Sequence, residues 1–200
     1  MTTPDPLAPV RAALAAPSAP SSDFDLNPDV ALPEGRKLRP AGVLVPLIVV
    51  GGALRVVLTK RSSALKHHPG QIAFPGGKVD PGDGDEVAAA LRETEEDGAR
   101  PRGNGEVLGT LPVHETVTGF AVTPVLGWIR DDFEPVPETG EVDEVFDVPF
   151  AHVTDPSRFR VQSRRWRGQM RHYYTVPFGP YYIWGATARI LRGLAERMAA

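Results

Sequence analysis

The stretch from Pro69 to Asp97 constrains the fold more than any other. Its first part, Pro69–Gly84, is punctuated by Gly and Pro and reads as a loop. Residues 86–97 follow as Glu-Val-Ala-Ala-Ala-Leu-Arg-Glu-Thr-Glu-Glu-Asp, which predicts a helix capped by Asp83 or Asp85 and ended by Gly98. Residues three and four apart share a helix face, so Glu93, Glu96 and Asp97 converge, with Glu86 two turns earlier on the same side. Val87, Leu91 and Thr94 fall on another face and are free to bury. A solvated surface helix also carries acidic residues. Here, however, they crowd the C-terminal half, where the helix dipole opposes them. Carboxylates packed within one turn repel unless a cation neutralises them, and oxygen-only ligands suit a hard divalent ion such as Mg²⁺ or Mn²⁺.

The flanking sequence supplies strands. Val43–Val50 and Ala53–Thr59 are β-rich runs split by Gly51-Gly52, a hairpin signal. Glu106–Val113, Phe120–Ile129 and Val142–Val148 read as further strands, and Phe159–Val176 as a long hairpin turning near Arg167-Gly168. Tyr182–Met198 has helical spacing. The order predicts an α+β or mixed α/β domain over residues 31–200. Residues 1–30 hold six prolines and little apolar periodicity, so a loosely ordered N-terminal arm is expected, with a short helical stretch in Val10–Ala16.

Composition narrows the chemistry. No cysteine is present, which removes disulfides, thiolate zinc sites, iron–sulfur clusters and cysteine nucleophiles. The longest apolar stretch, Ala41–Val50, contains Pro46 and is too short to span a bilayer, so no membrane partner is expected. A net charge of −3 gives no reason to expect nucleic acid. That total hides two opposed regions: Asp131–Asp147 holds eight acidic and no basic residues, whereas Ser157–Ala195 holds eight arginines and no acid. The first residues lack the pattern of a signal peptide, so the cytoplasm is the expected location. Competing motifs fail: Val87 and Ala88 spoil an EF-hand at Asp83-Gly84-Asp85, His114-Glu115 has no second His four residues on, and there is neither a G-x-S-x-G elbow nor a Walker loop.

Upstream of the helix stands Phe74-Pro75-Gly76-Gly77-Lys78-Val79-Asp80-Pro81-Gly82-Asp83. Paired glycines let backbone approach a ligand closely. Followed by Arg92-Glu93 and the acidic face, this segment resembles the Nudix box, with a spacer one residue longer than the general pattern. Leu58-Thr59-Lys60-Arg61-Ser62, Lys66, His68 and Gly70-Gln71-Ile72-Ala73-Phe74-Pro75-Gly76-Gly77 resemble the signature of the coenzyme A diphosphatase branch. Thr118-Gly119-Phe120, Val122-Thr123-Pro124, Glu141–Phe146 and Ile183–Arg189 fit the same branch, so the resemblance covers residues 38–195. It departs at Asp97, where the family has Glu, and at Ala99 and Arg100, where it has Gly and an aliphatic residue; Gly98 stands one place early, ready to cap the helix.

The resemblance implies a Nudix fold, a mixed β-sheet sandwiched between helices with a loop–helix–loop box. It implies Mg²⁺- or Mn²⁺-dependent hydrolysis of the diphosphate of coenzyme A, to 4′-phosphopantetheine and adenosine 3′,5′-bisphosphate. Glu93 and Asp97 are the leading metal ligands, with Glu96 and the Gly76 carbonyl beside them. Arg92 would orient a carboxylate. The base candidates are Glu96, Glu141 and Glu144; Lys60, Arg61, Lys66 and His68 are the substrate contacts. The Arg-rich stretch with Arg164, Arg165, Arg167 and Arg171 is able to attract a polyanion. Two readings stay open beside this one: a Nudix diphosphatase for another nucleoside diphosphate derivative, and a degenerate nucleotide-binding regulator. The partner expected is a small molecule of coenzyme A type, and a homodimer is compatible with the sequence.

Overall fold

Alternation along two neighbouring strands decides where the helices go. In the computed structural model, which describes residues 5–99, 105–130, 134–166 and 168–199, the central strand pairs with a parallel neighbour, Leu44 opposite Val125 and Val45 opposite Leu126. Successive strand residues face opposite sides of a sheet. Leu44 and Val125 accordingly join a small core cluster with Ala90, Val87 and Leu91 of the acidic helix, while Val45 and Leu126 join the main core on the other face. Arg100, Arg167 and residues 131–133 of the acidic segment lie outside the described residues.

The elements run α1 (Ala8–Ala15), β1 (Ser21–Ser22), β2 (Arg39–Val50), β3 (Ala53–Arg61), β4 (Ile72–Ala73), β5 (Gly76–Lys78) and α2 (Glu86–Glu96). They continue as β6 (Glu106–Thr110), β7 (His114–Glu115), β8 (Phe120–Trp128), β9 (Val142–Pro149), α3 (Phe150–Val153), β10 (Arg160–Trp166), β11 (Gln169–Thr175) and α4 (Gly185–Ala199). Among the described residues β1 to β9 form one mixed sheet, and β10 and β11 form a separate hairpin. Strand β2 is its axis. It runs parallel to β8 along one side, and on the other pairs antiparallel with β5 over residues 41–43 and with β3 over 47–50. The Gly76-Gly77 strand thus fills the notch that β3 leaves, directly beside α2. The α+β architecture and the sheet sandwiched between helices are as the sequence implies.

Three boundaries differ from the sequence-based expectation. First, the N-terminal segment is docked rather than loose: Leu7, Val10 and Ala13 are buried in the main core. Arg197 of α4 donates to the carbonyls of Ala13, Leu14 and Ala16. Second, α4 starts at Gly185 rather than Tyr182, because Ile183 and Trp184 instead pair with the chain leaving β11. Third, the strand from Glu106 ends at Thr110, since Pro112 lacks an N–H to continue the ladder, and His114-Glu115 pairs separately as β7.

His114 explains part of the N-terminal docking. Its ring is fully buried, with Nδ1 2.9 Å from Ser21 Oγ and Nε2 3.2 Å from Asp23 Oδ1. The ring ties β1 to β7 across 93 residues of sequence.

Candidate active site

Helix α2 is built as its sequence predicts. Of the two cap candidates Asp85 serves, accepting from the Ala88 N–H at 2.8 Å. Ala89, Ala90 and Thr94 are buried, and the acidic side chains are left on the other face. At the C-terminus the Gly98 N–H bonds the Glu95 carbonyl (3.2 Å) and the Ala99 N–H the Thr94 carbonyl (3.1 Å). Gly98 has φ +71°, so it supplies the left-handed residue of a Schellman cap and Ala99 follows as a buried apolar residue. Gly98, one place early, thus closes the helix.

Asp83, the other cap candidate, does something else. Its carboxylate receives both Nε and Nη2 of Arg92 at 2.9 Å, a two-pronged pair that holds its pKa down at about 2 through that bond first and the Asp80 N–H second. From this anchor Arg92 Nη1 reaches Glu93 Oε1 at 3.0 Å and Glu96 Oε2 at 2.9 Å. Arg92 is therefore a positioning residue for two acids of the face. Arg92→Ala is expected to lower kcat about 10- to 100-fold, as loss of a supporting partner does at metal sites, and to weaken Mn²⁺ binding by calorimetry in parallel. Asp83 contributes fully above its unfolded value of 3.8 and is lost as pH falls through about 2. Asp83→Asn is thus expected to flatten acid unfolding, followed by circular dichroism, between pH 4 and 2.

Glu93 is bent over the glycine loop. A Cβ on Gly77 would lie 2.5 Å from its carboxyl carbon, so a larger residue there would push the Glu93 carboxylate aside. Burial pushes the Glu93 carboxyl upward, with Arg92 opposing. Asp97, one turn on, accepts the Gly76 N–H at 3.2 Å. Its pKa is pushed up to about 6, by burial first and then by the charges of Glu93 and Glu141, against the pull of the Gly76 bond and Arg61. Gly76 thus meets the acids through its N–H. Glu96 is exposed and turned to Arg92. Among the described residues no three acidic or histidine side chains already form a closed ligand set. The donor set nevertheless fits a divalent cation: two carboxylates are held close at an electrostatic cost that a positive charge would relieve, and the oxygens are of the kind Mg²⁺ and Mn²⁺ take.

The two outlying base candidates part company. The charge of Glu141 bears on Asp97. Glu144 instead accepts a hydrogen bond from Tyr181, whose ring stacks on Phe146 with centroids 3.6 Å apart. It stands opposite Lys60 across the β3–β9 pair.

Lys60, Glu144 and His68 line one groove of about 600 Å³, together with Arg164, Tyr181 and Trp184. His68 takes φ +54°, uncommon for a residue with a side chain, and its pKa is lowered by burial and then by Arg61. Arg61 sits between groove and acids: its charge bears on both His68 and Asp97, and its Nε is buried with no hydrogen-bond partner. Lys66 is exposed on the loop and is not among the groove's lining residues. The structure thus brings Lys60 and His68 together, with Arg61 beside them, and leaves Lys66 outside. The aromatic wall of Tyr181, Tyr182 and Trp184 does not show in the sequence, where Tyr182–Trp184 look like the first turn of α4. Pro180 and Gly185, which bracket them, were the available signal.

Residues 38–170 match the model of the NUDIX domain. The chain is 42% identical over 157 residues to a protein described as uncharacterized Nudix hydrolase NudL from Enterobacter sp. (strain 638), covering 78% of this chain and 81% of that one. To the protein of the same description from Klebsiella pneumoniae it is 42% identical over 162 residues, covering 81% and 84%. Among solved structures, a Nudix hydrolase from M. smegmatis, RenU, aligns with TM-score 0.49 and 25% identity over 62% of this chain and 78% of that one.

Proposed function

This chain belongs to the Nudix family of hydrolases, which act on diphosphate bonds, and from that premise we propose that its substrate is coenzyme A or a derivative, cut to 4′-phosphopantetheine and adenosine 3′,5′-bisphosphate. The observation that carries this reading is the course of residues 58–78. One end of that segment puts Lys60 and His68 into the cationic groove, and the other packs Gly76-Gly77 against Asp97 and Glu93. Its sequence is the one that resembles the coenzyme A diphosphatase branch. A diphosphate laid along it would have cations at one end and the acidic face at the other.

Nudix enzymes use divalent metal ions, and Mg²⁺ or Mn²⁺ is the ion proposed here. Glu93 and Asp97 would hold it, with Glu96 beside them; when bound it supplies charge neutralisation, polarisation of a phosphoryl oxygen and a lowered pKa for the attacking water. The chain's own residues do the rest. Lys60 and Arg61 bind the anionic linkage and His68 orients it, so that positioning and electrostatics carry the rate. Arg92 keeps Glu93 in place. Glu141, the outlying acid whose charge bears on Asp97, is the base this reading favours for taking the proton of the attacking water. Glu141→Gln is then expected to lower kcat about 100-fold, whereas Glu144→Gln, in the groove, changes chiefly KM.

The test is hydrolysis of coenzyme A by the full chain with Mg²⁺ or Mn²⁺, both products followed by chromatography, beside ADP-ribose and a dinucleoside polyphosphate. A kcat/KM for coenzyme A at least about 10-fold above the others supports the reading. A reversed preference overturns the substrate and leaves the family standing. Coenzyme A bound but cut by neither metal would point to a degenerate binding domain.

A further inference from the structure

We propose that the β10–β11 hairpin carries a second anion site, in which Arg164 and Arg171 hold a terminal phosphomonoester of the substrate away from the diphosphate that is cut. The proposal rests on the coenzyme A-type reading above and assigns residues to a part of the substrate that the acidic face does not touch.

Arg164 and Arg171 are directly opposite partners in the antiparallel ladder, so their side chains leave the same face of the hairpin. Like charges so placed repel. Among the described residues neither is paired with a carboxylate. Each instead lies over aromatic rings. The Arg164 guanidinium lies 4.3 Å from the centre of Trp184, and that of Arg171 lies 5.1 Å from the centres of both Trp166 and Phe24. Stacking fixes a guanidinium plane and leaves its N–H edge to bond an anion. Arg171 Nε is buried and has no hydrogen-bond partner.

The two arginines flank a cavity. A pocket of about 130 Å³ has Arg164, Arg171 and Trp184 in its wall, and Arg164, Trp184 and His68 also line the 600 Å³ groove, so the two spaces adjoin. Asp23 also stands in the small pocket's wall, but its two oxygens are turned to other partners and form no ion pair with either arginine among the described residues. Its Oδ1 is engaged by His114 and its Oδ2 by the Val117 N–H at 2.8 Å. Two guanidinium groups with no ion-paired carboxylate among the described residues, in a pocket that adjoins the groove lined by Lys60, suit a dianionic phosphate bound through paired N–H donors.

Two measurements on the full chain test the assignment. In EDTA, calorimetry compares adenosine 3′,5′-bisphosphate with 5′-AMP. Wild type is expected to bind the bisphosphate about 10- to 100-fold more tightly, and Arg164→Gln and Arg171→Gln to shrink that gap below about 3-fold with 5′-AMP unchanged. Arg164→Lys, which keeps charge and loses the fork, is expected to fall between. A gap equal in wild type and both variants, or two ligands weakened alike, overturns the site. With metal present, kcat/KM for coenzyme A against 3′-dephospho-coenzyme A gives the second measurement. If both are cut equally, the proposed reaction survives and the hairpin site is overturned. If neither is cut, the proposed reaction fails, and the calorimetric gap and its loss in the variants alone decide the hairpin site.

Discussion

Glu93→Gln is expected to lower kcat roughly 1000-fold while leaving the fold at least as stable as wild type. The substitution keeps shape. A glutamine oxygen still accepts from Arg92 Nη1, now 3.0 Å from Glu93 Oε1, and the side chain still lies over Gly77. What disappears is the negative charge, and in the folded chain that charge is a burden. Burial raises the Glu93 pKa, with Glu96 and Asp80 adding to it, so the ionised form is disfavoured on folding. Removing it is expected to leave Tm unchanged or raise it in EDTA. The opposite holds with metal: wild type is expected to gain Tm as Mn²⁺ is added and Glu93→Gln to lose that gain. Calorimetric melting with and without Mn²⁺, beside initial rates on coenzyme A, separates the two effects. A variant that is both inactive and unstable in EDTA would show that Glu93 is structural.

What the sequence makes legible is local. Helix α2 is readable because apolar and acidic positions alternate at helical spacing and Asp85 and Gly98 mark its ends. The β2–β3 hairpin is readable because Gly51 and Gly52 both need the left-handed region that the tight turn imposes. Contacts between distant segments are not. Val10 carries no sign that it joins the main core, and His114 shows only an isolated histidine until Ser21 and Asp23 close on it. The same limit applies within the site. Asp83 sits nine residues before Arg92 and competes on paper with Asp85 for a cap; only the bend of residues 80–83 hands it to the guanidinium. Glu141 and Glu144, three apart in one acidic run, look interchangeable in sequence. Residue 141 closes the loop before β9, whereas residue 144 lies within the strand opposite Lys60, and this sends them to different neighbours.

Gly76→Ala is expected to cost about 3 kcal/mol in stability, because two penalties meet at one backbone position. Gly76 has φ +142°, a conformation that side chains rarely adopt. A Cβ there would also stand 2.5 Å from the Gly42 carbonyl oxygen and 2.6 Å from Val43 Cα. Both obstacles are backbone of β2, which cannot retreat. On the sheet face above it the Glu86 carbonyl of α2 presses so close that a Cβ on Gly42 would be 1.9 Å away. Strand β5, strand β2 and helix α2 thus form a stack with no slack, and the same contact that fixes the stack delivers the Gly76 N–H to Asp97. At about 2–4 °C per kcal/mol for a chain of this size, Tm is expected to fall by about 6–12 °C. Gly84→Ala in the same loop is the control: a Cβ there meets nothing within 4 Å, and its Tm is expected to stay within about 1 °C of wild type. If the Gly76 variant melts like the control, the tight β5–β2–α2 stack is not what seats the glycine loop against the acids. If it melts low, yet at a temperature where it remains folded still binds Mn²⁺ as wild type does, the loop holds the fold and Asp97 finds its own position.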